Sequence, residues 1–188
     1  MNDQILIGLN RPNLKNDGRH RGDHSVAVKR TEPRFIPASG FVRPRFCRQL
    51  MKKADGFPFS FRFAIYGYLM CARGERKRKP RHELLCAINA LLQGMSFYYD
   101  PLTNCVDRSL TALAHECGLA TISPNGTISV TRAYRAARSL EKEYGFIVTG
   151  DDGICFTPAF FQTLKVRPDH LHAARLKSER LHHKRGAL

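Results

Sequence analysis

Three arginines, Arg132, Arg135 and Arg138, recur at three-residue intervals in ISVTRAYRAARSLEKEYGFI, the stretch from Ile128 to Ile147. A guanidinium stays charged at any physiological pH and presents a planar fork of donors. That fork grips a phosphate, or the O6 and N7 acceptors of guanine, through two parallel hydrogen bonds. Ser129, Thr131 and Tyr134 add hydroxyls beside the arginines, and Lys142 adds a further cation. A second cationic stretch, ARGERKRKPRH, sets Arg76, Lys77, Arg78 and Lys79 among six cations in nine residues. Such a run either holds phosphates or serves as a solvated linker, and the sequence weighs both readings equally.

These groups need a rigid support. Val130, Ala133, Ala137, Leu140 and Tyr144 fall on a 3-4-3-4 stripe, which predicts a helix through 128–145 with an apolar back, ended by Gly145. At about 100° per residue, Arg135 points almost directly away from that stripe, and Arg132 and Arg138 flank the outward direction within about 65°. Upstream, HELLCAINALLQGM carries Leu84, Ile88, Leu91 and Met95 on one face of a buried helix. FYYDPLTNCV predicts a turn at Asp100-Pro101 and a short extended segment, and Ser109 caps a further helix, LTALAHECG, stopped at Gly118. Downstream, FIVT, GDDG and ICFTP read as a β-hairpin, and Thr157-Pro158 as N-cap and first residue of a short helix.

Nearer the amino terminus, RPRFCRQLMKKADG predicts a helix ending at Asp55-Gly56, and FPFSFRFAIYGYLMCARG predicts another over about residues 60–72 with Ser60 as N-cap. The row Phe57, Phe59, Phe61 and Phe63 suits core packing better than base stacking, because aromatics supply much of a small core's buried area. Residues 1–34 read as a flexible basic arm, 35–166 as a helical domain ending in the hairpin and its helix, and 167–188 as a basic tail.

With 188 residues, 43% of them hydrophobic, the chain can bury one good core. Its 31 Lys+Arg against 16 Asp+Glu give a formal charge of +15, a field that attracts polyanions. No uninterrupted apolar run approaches about 18 residues and no secretory leader is visible, so a soluble, cytoplasmic protein with no membrane partner is expected. Cys47, Cys71, Cys86, Cys105, Cys117 and Cys155 are scattered singly and are expected to be reduced, without a metal.

Catalytic constellations are thin. His170-Leu171-His172 with Tyr98-Tyr99 echoes the metal pair and nucleophile of a rolling-circle nicking enzyme, but the histidines lie in a helical context where i and i+2 do not face one another. His115-Glu116-Cys117 lacks the second cysteine pair of a deaminase, and no phosphate-cradling loop for ATP is present. A non-enzymatic protein with no catalytic residue, metal or cofactor is the expectation.

Helix, short extended segment, helix, outward-basic helix and hairpin form the order of a winged helix-turn-helix, in a mainly α (α+β) chain with additional N-terminal helices. The loop between Gly118 and Ser129 is longer than the roughly three or four residues of a strict helix-turn-helix.

Several blocks of the chain, from about Phe46 to Leu164, resemble the RepA replication initiation proteins of IncFII-type plasmids. They are FCRQLMKKADGF, RFAI at Arg62 to Ile65, ALLQG at Ala90 to Gly94, FYYDPLTNCV, LTALAHECGLAT, SVTRAYRA and FTPAFF, in that order. The resemblance implies an initiator that binds double-stranded DNA at its plasmid's origin, engages host initiation proteins and helicase, and sets copy number. By position it implies that Thr131, Arg132 and Arg135 sit on the DNA-reading helix. Members of that family run on with a further basic, helical C-terminal region, whereas the present sequence stops at KSERLHHKRGAL. A DNA-binding regulator or origin competitor on the same fold is the alternative.

Overall fold

The computed structural model describes residues 32–37, 40, 43–123, 125–150 and 153–186. The expected arm at 1–34 thus lies outside the described residues except for its last three positions.

Helix α1 (Arg45–Ala54) buries Cys47, Leu50 and Ala54, and its chain direction changes at Gly56, whose φ of 67° suits a residue without a Cβ. After a single 3-10 turn (Phe57–Phe59), α2 (Phe61–Ala72) begins under the expected cap, with Ser60 Oγ accepting from the Phe63 amide at 3.3 Å. The aromatic row divides: Phe57 and Phe63 are core, whereas Phe59 and Phe61 are exposed, correcting the expectation that all four pack inside. Residues two apart on a helix differ by about 200°, so Phe61 and Phe63 cannot share a face.

Helix α3 (His82–Tyr98) is the centre of the molecule, buried along Ile88, Leu91, Leu92 and Met95 and packed by α1, α5 and α4. Helix α4 (Leu110–Glu116) crosses it at Gly94, where a Cβ would lie 3.0 Å from Cys117 Sγ and 3.1 Å from Leu113 Cδ2. Ser109 caps α4 as expected, accepting from the Ala112 amide at 3.2 Å.

Between α3 and α4 runs β1 (Cys105–Val106), the edge of a small antiparallel sheet in the order β1-β5-β4. The hairpin is β4 (Ile147–Gly150) and β5 (Gly153–Phe156), with Ile147 opposite Phe156 and Thr149 opposite Ile154. Cys105 faces Cys155 across β1 and β5 and the two form a disulfide, which corrects the expectation of six reduced cysteines. The partners lie 50 residues apart in sequence and meet only because two short strands pair. Cys47 and Cys117 are free and buried, and burial pushes their thiols up to about 11 and about 12.

Helix α5 (Thr131–Arg138) starts later than the stripe predicted, because Ile128–Ser129 forms β3, paired with β2 (Thr121–Ile122) in a separate ribbon. The long loop before α5 is therefore a hairpin of its own. A π-helical turn (Ser139–Glu143) continues α5, and Gly145 at φ 62° ends it as expected. Helix α6 (Pro158–Thr163) has Thr157 at its N-cap and Pro158 at its first position as expected, but the Thr157 hydroxyl bonds no α6 amide and instead donates to the Gly145 carbonyl at 2.6 Å. This ties the end of the hairpin to the end of the π turn. Phe156 stacks on Phe160 with centroids 4.1 Å apart, closing an aromatic core shared with Phe146 and Tyr99.

The expected basic tail contains a long helix, α7 (Pro168–Gly186), which touches α1 and sends Ser178 Oγ to Asp100 Oδ1 at 3.4 Å. The whole is mainly helical with a small antiparallel sheet. No described helix is long and apolar enough to cross a membrane.

Candidate nucleic-acid interface

The inner side of α5 is made of Ala133, Ala136 and Ala137, all buried, followed by Leu140 in the π turn. Side chains this small let the α5 backbone lie close against α3 and α4, its two main neighbours. Val130, the expected first member of the stripe, is only half-buried because it precedes the helix. Arg135 and Arg138 are exposed where the angular reading places them and Tyr134 is 54% exposed, whereas Arg132, also expected to face outwards, is half-buried at the edge of the core stripe.

Ser129 and Thr131 are exposed at the start of α5, their hydroxyl oxygens 2.9 Å apart. Val130 at the N-cap makes no side-chain cap bond. The positive end of the helix dipole favours a phosphate at that point. Lys142 is exposed, but its ammonium lies 3.8 Å from Glu141 Oε2, which offsets part of its charge. Glu141 in turn accepts from the Thr149 amide at 3.0 Å and the Thr149 hydroxyl at 2.6 Å, pinning β4 to the π turn. Those two bonds hold its carboxyl below the usual carboxylate range.

The second cationic stretch divides in two. Lys77, Arg78 and Lys79 are exposed. Arg76 is only 18% exposed: its guanidinium pairs with Glu143, and its Nε donates to the Arg78 carbonyl at 2.9 Å. Glu143 also accepts from Ser139 Oγ, so one carboxylate joins the basic run to the turn that follows α5. Arg76 is therefore an anchor for the run, whereas sequence reading grouped it with the DNA-facing cations. Nearby, burial pushes the Tyr144 phenol up to about 12. The Arg76–Glu143 link spans 67 residues and follows no local pattern that a sequence could display.

The enzyme-like triplets are dispersed. Tyr98 and Tyr99 are buried; Tyr99 donates to Asn104 Oδ1 at 2.8 Å, and burial raises its phenol well above the usual range. Arg108 lies 4.6 Å over the Tyr98 ring and 3.6 Å from Glu116, so that arginine is occupied structurally. His170 and His172 are exposed on α7, and His115 is exposed while Cys117 turns inward to the Ala90 carbonyl. Among the described residues no three His, Cys, Asp or Glu side chains are grouped to hold a metal ion.

Comparison with known proteins fits this arrangement. The chain is 43% identical over 159 residues to a replication initiation protein of Escherichia coli, a match covering 79% of this chain and 55% of that protein. It is 37% identical over 98 residues to a probable replication-associated protein repA2 of Buchnera aphidicola subsp. Baizongia pistaciae, covering 47% of this chain and 41% of the relative. A second such protein, from Buchnera aphidicola subsp. Schizaphis graminum, is 36% identical over 72 residues, covering 38% of this chain and 29% of the relative. The chain spans about half the length, or less, of these relatives. No solved structure matches it significantly. The profile of the IncFII RepA protein family matches residues 23–186, and the chain belongs to that family.

Proposed function

We propose that this chain is a plasmid replication initiation protein, or the origin-binding part of one, that acts on double-stranded DNA as a winged helix-turn-helix. The observation that carries the reading is α5: an all-alanine back set against α3 and α4, with Arg135, Arg138 and Tyr134 on the open side. Helix α5 would enter the major groove, and the β4–β5 hairpin that follows it, sharing a sheet with β1, would lie along the backbone as the wing. Arg135 and Arg132 are the base-reading candidates. Thr131 and Ser129, at the positive end of the α5 dipole, suit a phosphate, and Lys77, Arg78 and Lys79 add sequence-independent attraction.

The family and the name of the Escherichia coli relative support placing that duplex at a plasmid origin. On this reading the protein works in the cytoplasm where the plasmid is, without catalysis of its own, by delivering the origin to host initiation proteins and helicase and limiting copy number. The test is fluorescence anisotropy with duplexes tiling the cognate origin against a random duplex of equal length. Preference for one origin segment by about 1,000-fold or more is expected at fixed salt. Equal affinity for all duplexes would reduce the protein to a non-specific cation. Incubation with supercoiled DNA and a divalent metal should leave the DNA supercoiled, since relaxation would reveal a nicking enzyme.

A further inference from the structure

Helix α2 has an apolar surface on both sides. Only Phe63, Gly67 and Met70 are buried, a narrow stripe turned towards Tyr144, Phe146 and Pro80. Directly opposite, Phe61, Ile65, Tyr68 and Ala72 stand in solvent, with Phe61 at 81% and Tyr68 at 63% exposure. Ala64 and Leu69 flank them, also exposed. The single charge of α2, Arg62, is tied down by a 2.7 Å bond to the Thr163 carbonyl. A helix that is apolar all round belongs in an interior, and a continuous exposed patch of this kind marks a contact surface.

The spacing names the type of contact. Positions 61, 65, 68 and 72 follow each other by four, three and four, the seam of a helix that packs against another helix by knobs into holes. The seam is also complementary to itself when reversed. In an antiparallel pair centred between Tyr66 and Gly67, Phe61 meets the small Ala72 of the other helix and Ile65 meets Tyr68. Leu69 meets Ala64 at the flank. Large faces small at the ends of the pair in both directions, as an isologous two-fold contact requires.

Charge points the same way. The chain carries +15, so two copies repel wherever their basic surfaces approach, and the seam of Phe61, Ile65, Tyr68 and Ala72 carries no charge, the exposed Arg62 being turned to Thr163. Phe61, Ile65, Tyr68 and Leu69 together leave on the order of 450 Å² of side chain uncovered, given roughly 150–250 Å² for a whole aromatic side chain. Two such faces bury about 900 Å², the size of a weak, reversible contact.

We propose that α2 is the homodimer interface of this protein, pairing antiparallel with α2 of a second copy. The pairing leaves α5 outside the contact, so each dimer offers two cationic helices related by a two-fold axis. This inference stands apart from the DNA-binding reading, because its test is made without DNA.

Sedimentation equilibrium of the whole chain up to about 50 µM is expected to give a weak, reversible dimer, as contacts of this size do. Phe61→Glu and Tyr68→Glu, both at positions already exposed and so compatible with an unchanged circular dichroism spectrum, should each weaken it by roughly 100-fold or more. Mixing Phe61→Glu protein with Ala72→Arg protein should restore a dimer containing one of each, because residue 61 of one meets residue 72 of the other. A dimer indifferent to both glutamates would overturn the proposal. So would a chain that is monomeric throughout, assigning α2 to a different protein, or one that dimerises only once residues 1–31 are removed, which would make the arm its cover.

Discussion

Helices α2 and α5 each bury three residues, yet their outer faces have opposite chemistry. On α5 the inner three are alanines and the outer face is arginine, tyrosine and threonine. On α2 the inner three are Phe63, Gly67 and Met70, and the outer face is phenylalanine, isoleucine and tyrosine. The supports differ as well. Around α5 run a disulfide and the Arg76–Glu143 pair, both from distant parts of the chain, with the nearer Glu141–Thr149 bonds and the Thr157 tie to Gly145. Two side-chain bonds, Arg62 to the Thr163 carbonyl and Tyr66 to Thr163 Oγ1, fasten α2 to α6. A front that must meet a rigid duplex in one register needs its geometry fixed from several sides, whereas a front that buries apolar area gains most from being greasy and accessible.

The largest expected effect breaks α2 on its inner side. Phe63 is 1% exposed and packs on Tyr144 at 4.3 Å between centroids, so Phe63→Ala should cost about 3–5 kcal/mol in urea unfolding. Phe61→Ala, the same change two residues earlier, should stay within about 0.5 kcal/mol when measured on dilute, monomeric protein. Similar losses at both positions would mean that α2 is not seated as described.

Next comes the covalent tie beside α5. Reducing Cys105–Cys155, or replacing Cys155 with serine, opens a 50-residue loop and should lower stability by about 2–4 kcal/mol. Melting with and without reductant reads it directly. Because β1 joins the hairpin through this pair, reduction should also weaken duplex binding more than it disturbs dimerisation through α2. Equal loss of both would show that the disulfide holds the whole fold and not the hairpin in particular.

The contrast between the two helices also explains what the sequence discloses. For α5 there is a single apolar stripe, so periodicity alone assigns Ala133, Ala137 and Leu140 inward and Arg135 outward, and the structure agrees. For α2 apolar residues occur at nearly every position, so a period is present but has no unique phase: Phe61, Ile65 and Leu69 look like a core face and are the exposed one. Local signals survive well, as with Ser60 and Ser109 at their caps and Gly145 at its stop, because each depends on a few adjacent residues. What escapes is mostly non-local, the Cys105–Cys155 pair and the anchoring role of Arg76, together with two nearer features whose strands or bonds are too short to show a period: the β2–β3 ribbon before α5 and the Thr157 hydroxyl bond to Gly145.

The cations of the two stretches should separate by kind of effect. Arg135→Ala is expected to weaken binding to the origin segment by about 1–3 kcal/mol, with a smaller loss on random duplex. Neutralising Lys77, Arg78 and Lys79 should instead weaken both duplexes alike and reduce the salt slope by about 0.9 for each lost phosphate contact. Arg76→Ala should act on folding, since it strands Glu143 without its partner. A normal melting curve for Arg76→Ala, with a reduced salt slope, would return it to the set of DNA contacts.

The smallest effect concerns Glu141, which joins the turn after α5 to the hairpin. Its carboxylate accepts twice from Thr149, and these bonds favour the charged form, so its folded value lies below the ordinary 4.5. A carboxyl depressed on folding contributes its stability in full above the unfolded value and loses it as pH falls through the folded one. Hairpin attachment should therefore be unaffected from neutrality down to about pH 5 and loosen only in more acid solution. The Thr149 amide, as a direct donor to this carboxylate, reports the titration by NMR with an inflection below 4.5. An inflection at or above that value would mean that the bonds do not form in solution, and that the hairpin beside α5 is held by its disulfide, its pairing with β1, its aromatic core and the Thr157 tie to Gly145.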